Sequence, residues 1–279
     1  MRKILLPVGQ RFPKTATLDF AGYIARLTKS GLTGIFLGDT SHEEGLLSNR
    51  HNTTESFGSG TLTAVETQPA KVSGGDPLIQ DFQEACTNQE VISHIHQDQG
   101  TPWHELLTEC RYADLMIVDP SFYMEEEDGL IPTHDVKKLL HEAECPVIVA
   151  PPSFEDIEEL IFTFDGTKSS VNAIRQFLHL FPEFAQKRVI VLGIVNVHTD
   201  IILQRDRLME WLEQYYPNVD FSILEGDPES RLLEYLLLRP NALVVMGGYG
   251  RGHLSRILQP SKSASVIRYL AAPVFIAHY

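Results

Sequence analysis

A glycine-rich turn near the end of the chain is the segment best suited to chemistry. Gly247 and Gly250 follow an apolar run, residues 242–245, that is typical of a buried parallel strand. A stretch with a helical pattern then begins at Ser261 and continues to Leu270. The backbone N–H groups of such a turn and of a helix start can face an anion, normally a phosphate. The alternative is a loop that only reverses the chain.

The charge of this end of the chain favours anion binding. No Asp or Glu follows Glu234, and the basic residues that do follow are Arg239, Arg251, Arg256, Lys262 and Arg268. In a chain of formal net charge −14 they create a local positive field, which attracts phosphate. The pattern therefore predicts a nucleotide site, although basic residues on a solvated face would look the same.

Composition narrows the classes of protein that fit. A length of 279 residues suggests one or two domains, and 43% hydrophobic with 22% charged residues is ordinary for a soluble globular protein. The apolar run that begins at Ile4 ends at Pro7, too early for a signal peptide. Three cysteines without a CxxC pair favour a reducing compartment, so we expect a cytoplasmic protein. No apolar run approaches the roughly 20 residues needed to span a bilayer, so no membrane partner is expected. A pI near 5.2 argues against a general nucleic-acid binder.

The chain contains two copies of one unit. Residues 113–118 and 145–149 have counterparts in residues 241–245 and 272–276, at nearly the same distance from each other. We therefore predict a first domain over residues 1–150 and a second over residues 154–279, joined by Pro151-Pro152-Ser153. The first domain carries an insertion of about residues 40–75, rich in Ser, Thr, Gly and Asn, that we interpret as a long surface loop.

Strands and helices alternate in each half, which predicts parallel sheets covered by helices on both faces. In the second half the predicted strands are 159–164, 188–195, 219–225, 242–246 and 274–277, and the predicted helices are 169–180, 199–215, 228–238 and 261–271.

These motifs resemble those of the universal stress proteins. Residues 162–170 are similar to the family's opening strand, Asp and helix start, and residues 225–228 to its mid-domain turn. The family's closing motif is G-x2-G-x9-G-[ST], which Gly247, Gly250 and Ser261 match, with Pro260 in place of the third glycine. The resemblance covers the whole chain as a tandem pair and is stronger in the second half.

The resemblance implies an α/β fold of two tandem five-stranded parallel-sheet sandwiches, adenine nucleotide alpha-hydrolase-like, with strand order 3-2-1-4-5. ATP, with Mg²⁺, would lie beyond strands 1 and 4 of the second half, where the strand order reverses. The residues implied to bind it are Asp165 (adenosine), Ile194 (backbone to the base), Gly247 and Gly250 (close approach to phosphates), Ser261 (N–H and hydroxyl to a phosphate) and Lys262. The alternative role for Asp165 is a helix N-terminal cap.

The sequence departs from the family in both halves. Pro260 has no N–H to donate to a phosphate, and Lys262 or Arg251 would have to offset that loss. In the first half Gly9 replaces the Asp, residues 120–123 replace the glycine loop, and four acidic residues follow at 125–128. We therefore expect the first half not to bind ATP.

The resemblance also implies how the halves meet. The last strand of each half, Val147–Ala150 and Val274–Ala277, should lie at a sheet edge, and the two edges should meet across a pseudo-twofold axis. We expect an intrachain pseudo-dimer in which each half keeps its own sheet rather than one continuous sheet. A homodimer of the whole chain and further protein partners are compatible with this arrangement.

Two functions remain open. The first is a stress-response regulatory protein that binds ATP or a related nucleotide, with at most slow hydrolysis and no predicted catalytic residue. The alternative is an interaction module of the same fold that does not bind nucleotide. His94 and His96 share one face of a probable strand, with His104 nearby, but exposed polar residues are commoner there than metal ligands, so no metal site is predicted.

Overall fold

The computed structural model describes residues 1–37, 77–97, 101–123, 133–195, 201–239, 241–248 and 272–277. In the first half these form β1 (Lys3–Val8), α1 (Thr15–Thr28), β2 (Gly31–Phe36), α2 (Pro77–Asn88), β3 (Ser93–Gln97), α3 (Pro102–Cys110), β4 (Leu115–Val118), α4 (His134–Glu142) and β5 (Val147–Val149). The second half contains β6 (Glu159–Phe164), α5 (Lys168–Leu180), a 3₁₀ turn (Pro182–Phe184), β7 (Arg188–Val195), α6 (Ile201–Leu212), β8 (Val219–Glu225), α7 (Pro228–Leu237), β9 (Ala242–Gly247) and β10 (Val274–Ala277).

The strands lie in the order β3-β2-β1-β4-β5-β10-β9-β6-β7-β8 within the described residues. Each half therefore has the order 3-2-1-4-5, and every pairing within a half is parallel. This confirms the predicted fold class and the equivalence of the two halves.

The two halves meet through their last strands, as expected, but they do not keep separate sheets. β5 and β10 pair antiparallel, with Val149 opposite Val274, Ile148 opposite Phe275 and Val147 opposite Ile276. The expectation of two sheets without continuity was wrong. Each edge has free N–H and C=O groups, and pairing the edges satisfies them directly.

The position of a strand in this sheet explains its composition. β4 and β9 lie inside the sheet, and all of their residues are buried, as in parallel strands covered on both faces. β3 and β8 are the two outer strands, and their residues are exposed or only partly buried. The polar residues of β3 and β8 are therefore a consequence of the edge position.

Helices cover both faces of the sheet with apolar side chains. One face packs against α1, α2, α5 and α6, through residues such as Ile24, Phe82 and Leu208. The opposite face packs against α3, α4 and α7, for example through Leu106 and Leu232. Both clusters include residues of both halves, so the two halves share their core.

The junction between the halves is surrounded by aromatic rings. Phe177 of α5 lies 5.3 Å from Phe275 of β10, 5.6 Å from Phe162 of β6 and 4.8 Å from Phe181, measured between ring centroids. Phe154, in the segment between the halves, lies 5.1 Å from Phe20 of α1. These contacts pack the segment between the halves against α1 and pack β10 against α5.

The three cysteines are free and buried. The Sγ atoms of Cys110 and Cys145 lie 2.9 Å apart, and the backbone N–H of Cys145 donates to Sγ of Cys110 at 3.3 Å. This contact holds the end of α3 against the start of β5.

The second-half strands lie where the sequence predicted them, to within one residue. α6 is shorter than predicted, because residues 213–215 form a turn after Leu212. The predicted insertion (40–75) and the predicted helix 261–271 lie outside the described residues. Among the helices that are described, none has the length and apolarity required to cross a bilayer.

Phe275→Ala tests how strongly the fold depends on this junction. Phe275 is fully buried, so its truncation should lower the free energy of unfolding by about 3–5 kcal/mol. Leu238→Ala, at a residue 82% exposed, is the control and should change it by less than about 0.5 kcal/mol. Urea denaturation measures both, and equal effects of the two substitutions would contradict the proposed importance of the junction.

Candidate functional site

Three of the predicted site residues lie at the carboxyl ends of strands in the second half of the sheet. Asp165 directly follows β6, Gly247 is the last residue of β9, and Ile194 is the penultimate residue of β7. Because β6 lies between β9 and β7, the carboxyl ends of these parallel strands bring the three together. Gly250, Ser261 and Lys262 lie outside the described residues, so their predicted roles stay predictions.

Asp165 caps the turn that leads into α5. Its Oδ1 accepts hydrogen bonds from the N–H of Thr167 at 3.0 Å and from the hydroxyl of Thr167 at 2.6 Å. Thr167 in turn accepts from the N–H of Ser170 and so caps the helix itself. The helix cap is therefore Thr167, whereas Asp165 stabilises the turn two residues before the cap. Among the described residues no hydrogen bond to Oδ2 of Asp165 is found.

The turn after Asp165 needs the residue that follows it. Gly166 has φ 76°, in the left-handed region that residues with a Cβ rarely adopt. The glycine therefore lets the chain turn sharply from β6 into α5 while Asp165 stays at the strand end.

Gly247 has a packing role that the sequence did not reveal. A Cβ on this residue would lie 2.6 Å from Oγ of Ser169, 2.8 Å from the carbonyl carbon of Ser169 and 2.9 Å from the nitrogen of Ser170. The hydroxyl of Ser169 also donates to the carbonyl oxygen of Gly248 at 2.8 Å. The absence of a side chain thus allows the end of β9 to pack directly on the first turn of α5.

Ile194 extends beyond the end of the neighbouring strand. The pairing of β6 with β7 ends at Phe164 opposite Gly193, whereas β7 continues to pair with β8 through Ile194 opposite Leu224. Ile194 therefore lies one residue beyond the last residue of β7 that pairs with β6, and its side chain is buried in the core.

An open cleft lies beside Asp165, between α5 and α6. Its volume is about 520 Å³, and the residues that line it are Gly166, Thr167, Lys168, Val171, Asn172, Arg175 and Gln204. Ligand sites of small molecules commonly have about this size. Lys168, the first residue of α5, and Arg175, about two turns further along the helix, supply two positive charges to the cleft. The helix dipole at the N-terminus of α5 also favours an anion.

The sequence analysis missed Lys168 and Arg175 as site residues. Their signal was the spacing of residues 168, 171 and 175, which puts three side chains on one helix face directly after a strand-end Asp.

In the first half a buried carboxylate lies at the start of α1, the counterpart of the start of α5. Asp119 follows β4, is 2% exposed, and lies at the start of α1. It accepts hydrogen bonds from the N–H of Lys14 at 3.0 Å, the hydroxyl of Thr17 at 2.7 Å and the N–H of Ser121 at 2.8 Å. A negative group of the chain itself therefore occupies the helix start.

The segment after Asp119 also lies on the end of β1. The N–H of Gln10 donates to the carbonyl oxygen of Tyr123 at 3.2 Å. A Cβ on Gly9 would lie 2.1 Å from that same oxygen. Gly9 thus permits residues 119–123 to approach the strand end where the second half has Asp165.

These hydrogen bonds determine the charge state of Asp119. Burial by itself would raise the pKa of Asp119, but the hydroxyls of Ser121 and Thr17 and the N–H groups of Lys14 and Ser121 outweigh it, so the pKa lies below its ordinary value. Asp119 is therefore ionised at neutral pH.

Solved structures share this architecture over the full chain. The chain superposes on a universal stress protein from Archaeoglobus fulgidus DSM 4304 with TM-score 0.67 and 13% identity, covering 99% of this chain and 96% of the other. A functionally unknown protein from Pseudomonas aeruginosa PAO1 gives TM-score 0.60 and 16% identity, with 100% and 92% coverage. The chain has the fold of the universal stress proteins.

Sequence comparison supports the same resemblance. Universal stress protein Slr1230 from Synechocystis is 23% identical over 142 residues, which make up 50% of this chain and 49% of that protein. The chain thus matches about half the length of its curated relative. No protein-family model matches the chain. The similarity to universal stress proteins inferred from the motifs is confirmed in sequence and in fold.

Gly247→Ala tests the packing role of the motif glycine. The added methyl group should lower the free energy of unfolding by about 1–3 kcal/mol, because it meets the α5 backbone. The double variant Ser169→Ala/Gly247→Ala should recover little of this loss, since the contacts to the Ser169 and Ser170 backbone remain. Full recovery in urea denaturation would mean that only the serine hydroxyl obstructs a side chain.

Asp119→Asn tests the carboxylate at the start of α1. At pH 7 the variant should be less stable by about 1.5–3 kcal/mol, the contribution of hydrogen bonds to a charged group. Because the folded-state pKa is lowered, this contribution is present above the unfolded-state pKa of about 3.9 and is lost as the pH falls through the folded-state value. The difference between wild type and variant should therefore shrink below about pH 4.

The exposed Asp206→Asn serves as the control for Asp119→Asn and should leave the urea midpoint unchanged at each pH. If the free energies of unfolding of wild type and Asp119→Asn differed by the same amount from pH 7 to pH 2.5, the ionisation of Asp119 would contribute nothing to stability.

Proposed function

We propose that this chain is a stress-response regulatory protein that binds ATP or a related nucleotide through its second half, without fast catalysis. The observation that carries the proposal is the difference between two equivalent helix starts, those of α1 and α5. In the first half the chain places its own carboxylate, Asp119, at the start of α1. In the second half the start of α5 faces an open cleft with Lys168 and Arg175. A negatively charged ligand suits the second place and not the first.

The polar groups at this place suit the parts of a nucleotide. Lys168, Arg175 and the start of α5 would attract phosphates. Asp165, with one carboxylate oxygen used by Thr167, can accept a hydrogen bond from a ribose hydroxyl through the other. The backbone of Ile194 would contact the base, and Gly250, Ser261 and Lys262 would complete the phosphate site from the loop after β9. Mg²⁺ would enter with the triphosphate.

Within the described part of the site, the residue two positions before Asp165 is not placed to act as a nucleophile. Thr163, two residues before Asp165, is buried, and its hydroxyl donates to the carbonyl oxygen of Val245 at 3.0 Å. It therefore supplies no nucleophile at the strand end. The proposed role is a regulator whose state depends on bound nucleotide, placed in the cytoplasm and acting through protein partners or as a homodimer. The names of the similar proteins support the link to stress.

The alternative is an interaction module of the same fold that does not bind nucleotide. Gly247 favours it, because the contact with α5 accounts for this motif glycine without any ligand. Pro260 favours it as well, since a phosphate would lose a backbone donor there. The two proposals differ in one measurable property, the affinity for ATP.

Isothermal titration with ATP and Mg²⁺ tests the proposal. Lys168→Ala and Arg175→Ala should each weaken binding about tenfold or more, because charge-assisted hydrogen bonds contribute about 1.5–3 kcal/mol. Lys187→Ala is the matched control: Lys187 precedes β7 at the opposite end of the sheet, and its removal should leave the affinity unchanged.

Further variants separate the two functions. Asp165→Ala and Ser261→Ala should weaken binding, Gly250→Val should abolish it, and Pro260→Gly should strengthen it by restoring an N–H. If neither wild type nor Pro260→Gly gives heat at millimolar ATP, the nucleotide proposal fails and the interaction module remains.

A further inference from the structure

A second cluster of polar groups lies at the other end of the molecule, on the outer strand β3. His96 of β3 faces Glu105 and Glu109 of α3, which are four residues apart and therefore on one face of that helix. One potential ligand atom from each of the three residues lies within 4.8 Å of the other two. This cluster is far in sequence and in strand order from the candidate nucleotide site, and the proposed function does not use it.

The ring nitrogen Nε2 of His96 lacks a hydrogen-bond partner. It is the one side-chain nitrogen or oxygen, among the described residues, that is inaccessible to solvent and without such a partner. It points towards Oε1 of Glu105, at 3.6 Å. A buried polar nitrogen without a partner is unfavourable, and something that binds it would remove this cost.

The distance between Nε2 of His96 and Oε1 of Glu105 suits two ligands of one metal ion. A direct N–H···O hydrogen bond would bring them to about 2.7–3.2 Å. Two ligands at about 2.1 Å from a tetrahedral Zn²⁺ ion lie about 3.4 Å apart, by simple geometry. The observed 3.6 Å is therefore close to the ligand spacing and longer than the hydrogen bond.

Lys3 positions the second carboxylate without closing the site. Its Nζ contacts Oε2 of Glu109 at 2.6 Å, whereas the other oxygen, Oε1, is 4.0 Å from Nδ1 of His96, the ring nitrogen that does not face Glu105. One oxygen is thus held by Lys3, and the other faces the cluster. Partners of this kind orient metal-binding carboxylates in established metal sites. With Lys3 included and His96 neutral, the formal charge of the group is −1, which suits a cation.

We propose that His96, Glu105 and Glu109 bind a divalent transition-metal ion of the Zn²⁺ class. One imidazole nitrogen and two carboxylates form a ligand set for Zn²⁺, and a fourth position is left for water. The ion connects α3 to the outer strand β3, so its binding stabilises the edge of the sheet. From the sequence we considered His96 together with His94 and His104, not with the two glutamates, and predicted no metal site.

The main alternative is an ion pair between protonated His96 and the two glutamates, with no metal. The same test distinguishes the two, because only a metal site responds to added Zn²⁺. The protein is stripped with EDTA, dialysed, and titrated with ZnCl₂ in the absence of nucleotide. One equivalent should bind, and the melting temperature should rise with Zn²⁺ concentration, since a ligand of the folded state stabilises it.

The variants identify the ligands. His96→Ala, Glu105→Gln and Glu109→Gln should each weaken Zn²⁺ binding at least tenfold and remove the Zn²⁺-dependent rise in melting temperature. His94→Ala and His104→Ala are the matched controls, because both remove an exposed histidine of β3 or α3 outside the cluster. They should bind as wild type does. Circular dichroism without metal checks that every variant is folded.

Two results would overturn the proposal. If wild type does not bind one equivalent of Zn²⁺, the cluster is an ion pair. If His96→Ala binds Zn²⁺ as well as wild type does, the metal binds elsewhere, whatever the result for His94→Ala and His104→Ala. Mg²⁺ in place of Zn²⁺ should give no more than a small shift of the melting temperature, because an imidazole ligand does not suit this ion. Loss of ATP binding would leave all of these results unchanged.

Discussion

The antiparallel pairing of β5 with β10 is the interaction on which the arrangement of the molecule depends. Each half ends in a short, fully buried apolar strand, and without a partner its free N–H and C=O groups would be exposed at a hydrophobic edge. Three residue pairs close both edges at once and join the sheets into one. Because β10 also pairs with β9, the same contact helps to position Gly247 and the start of α5, where the candidate site lies.

The two halves use one topological position in different ways. Both have a helix start next to the carboxyl ends of strands 1 and 4, and both have an acid there. In the first half the acid follows strand 4 and its hydrogen bonds to Lys14 and Thr17 fasten it to the helix start. In the second half the acid follows strand 1, and within the described part of the chain Asp165 hydrogen-bonds only Thr167 of its own turn. The same fold thus has a buried carboxylate at one helix start and a cleft lined by Lys168 and Arg175 at the other.

The outer strands pose a different physical problem from the central ones. β3 has polar side chains and a free edge, and it packs against β2 and α2. The His96 cluster connects this strand to α3 through side chains. A bound ion would replace long ion pairs by coordination bonds at an outer strand whose residues are exposed or only partly buried.

The sequence by itself determined the features that depend on local patterns. The apolar run at residues 159–164 and the alternation of strands with helices gave the class of fold, because periodicity and turn residues act over a few neighbours. The repeated blocks gave the two equivalent halves. The turn chemistry of Asp165 and Gly166 was also visible, since an Asp followed by Gly and Thr before a helix is a local cap signal.

Only the tertiary structure decided the features that join distant residues. Nothing near Ile148 indicates that it lies opposite Phe275, so the continuous sheet was not foreseen. Gly247 was interpreted through its motif alone, because its contact with Ser169 forms only when β9 packs on α5. His96 likewise acquires its two glutamates from a helix whose orientation is set by the core. Backbone pairing and packing across the sheet, which short-range patterns do not encode, made each of these choices.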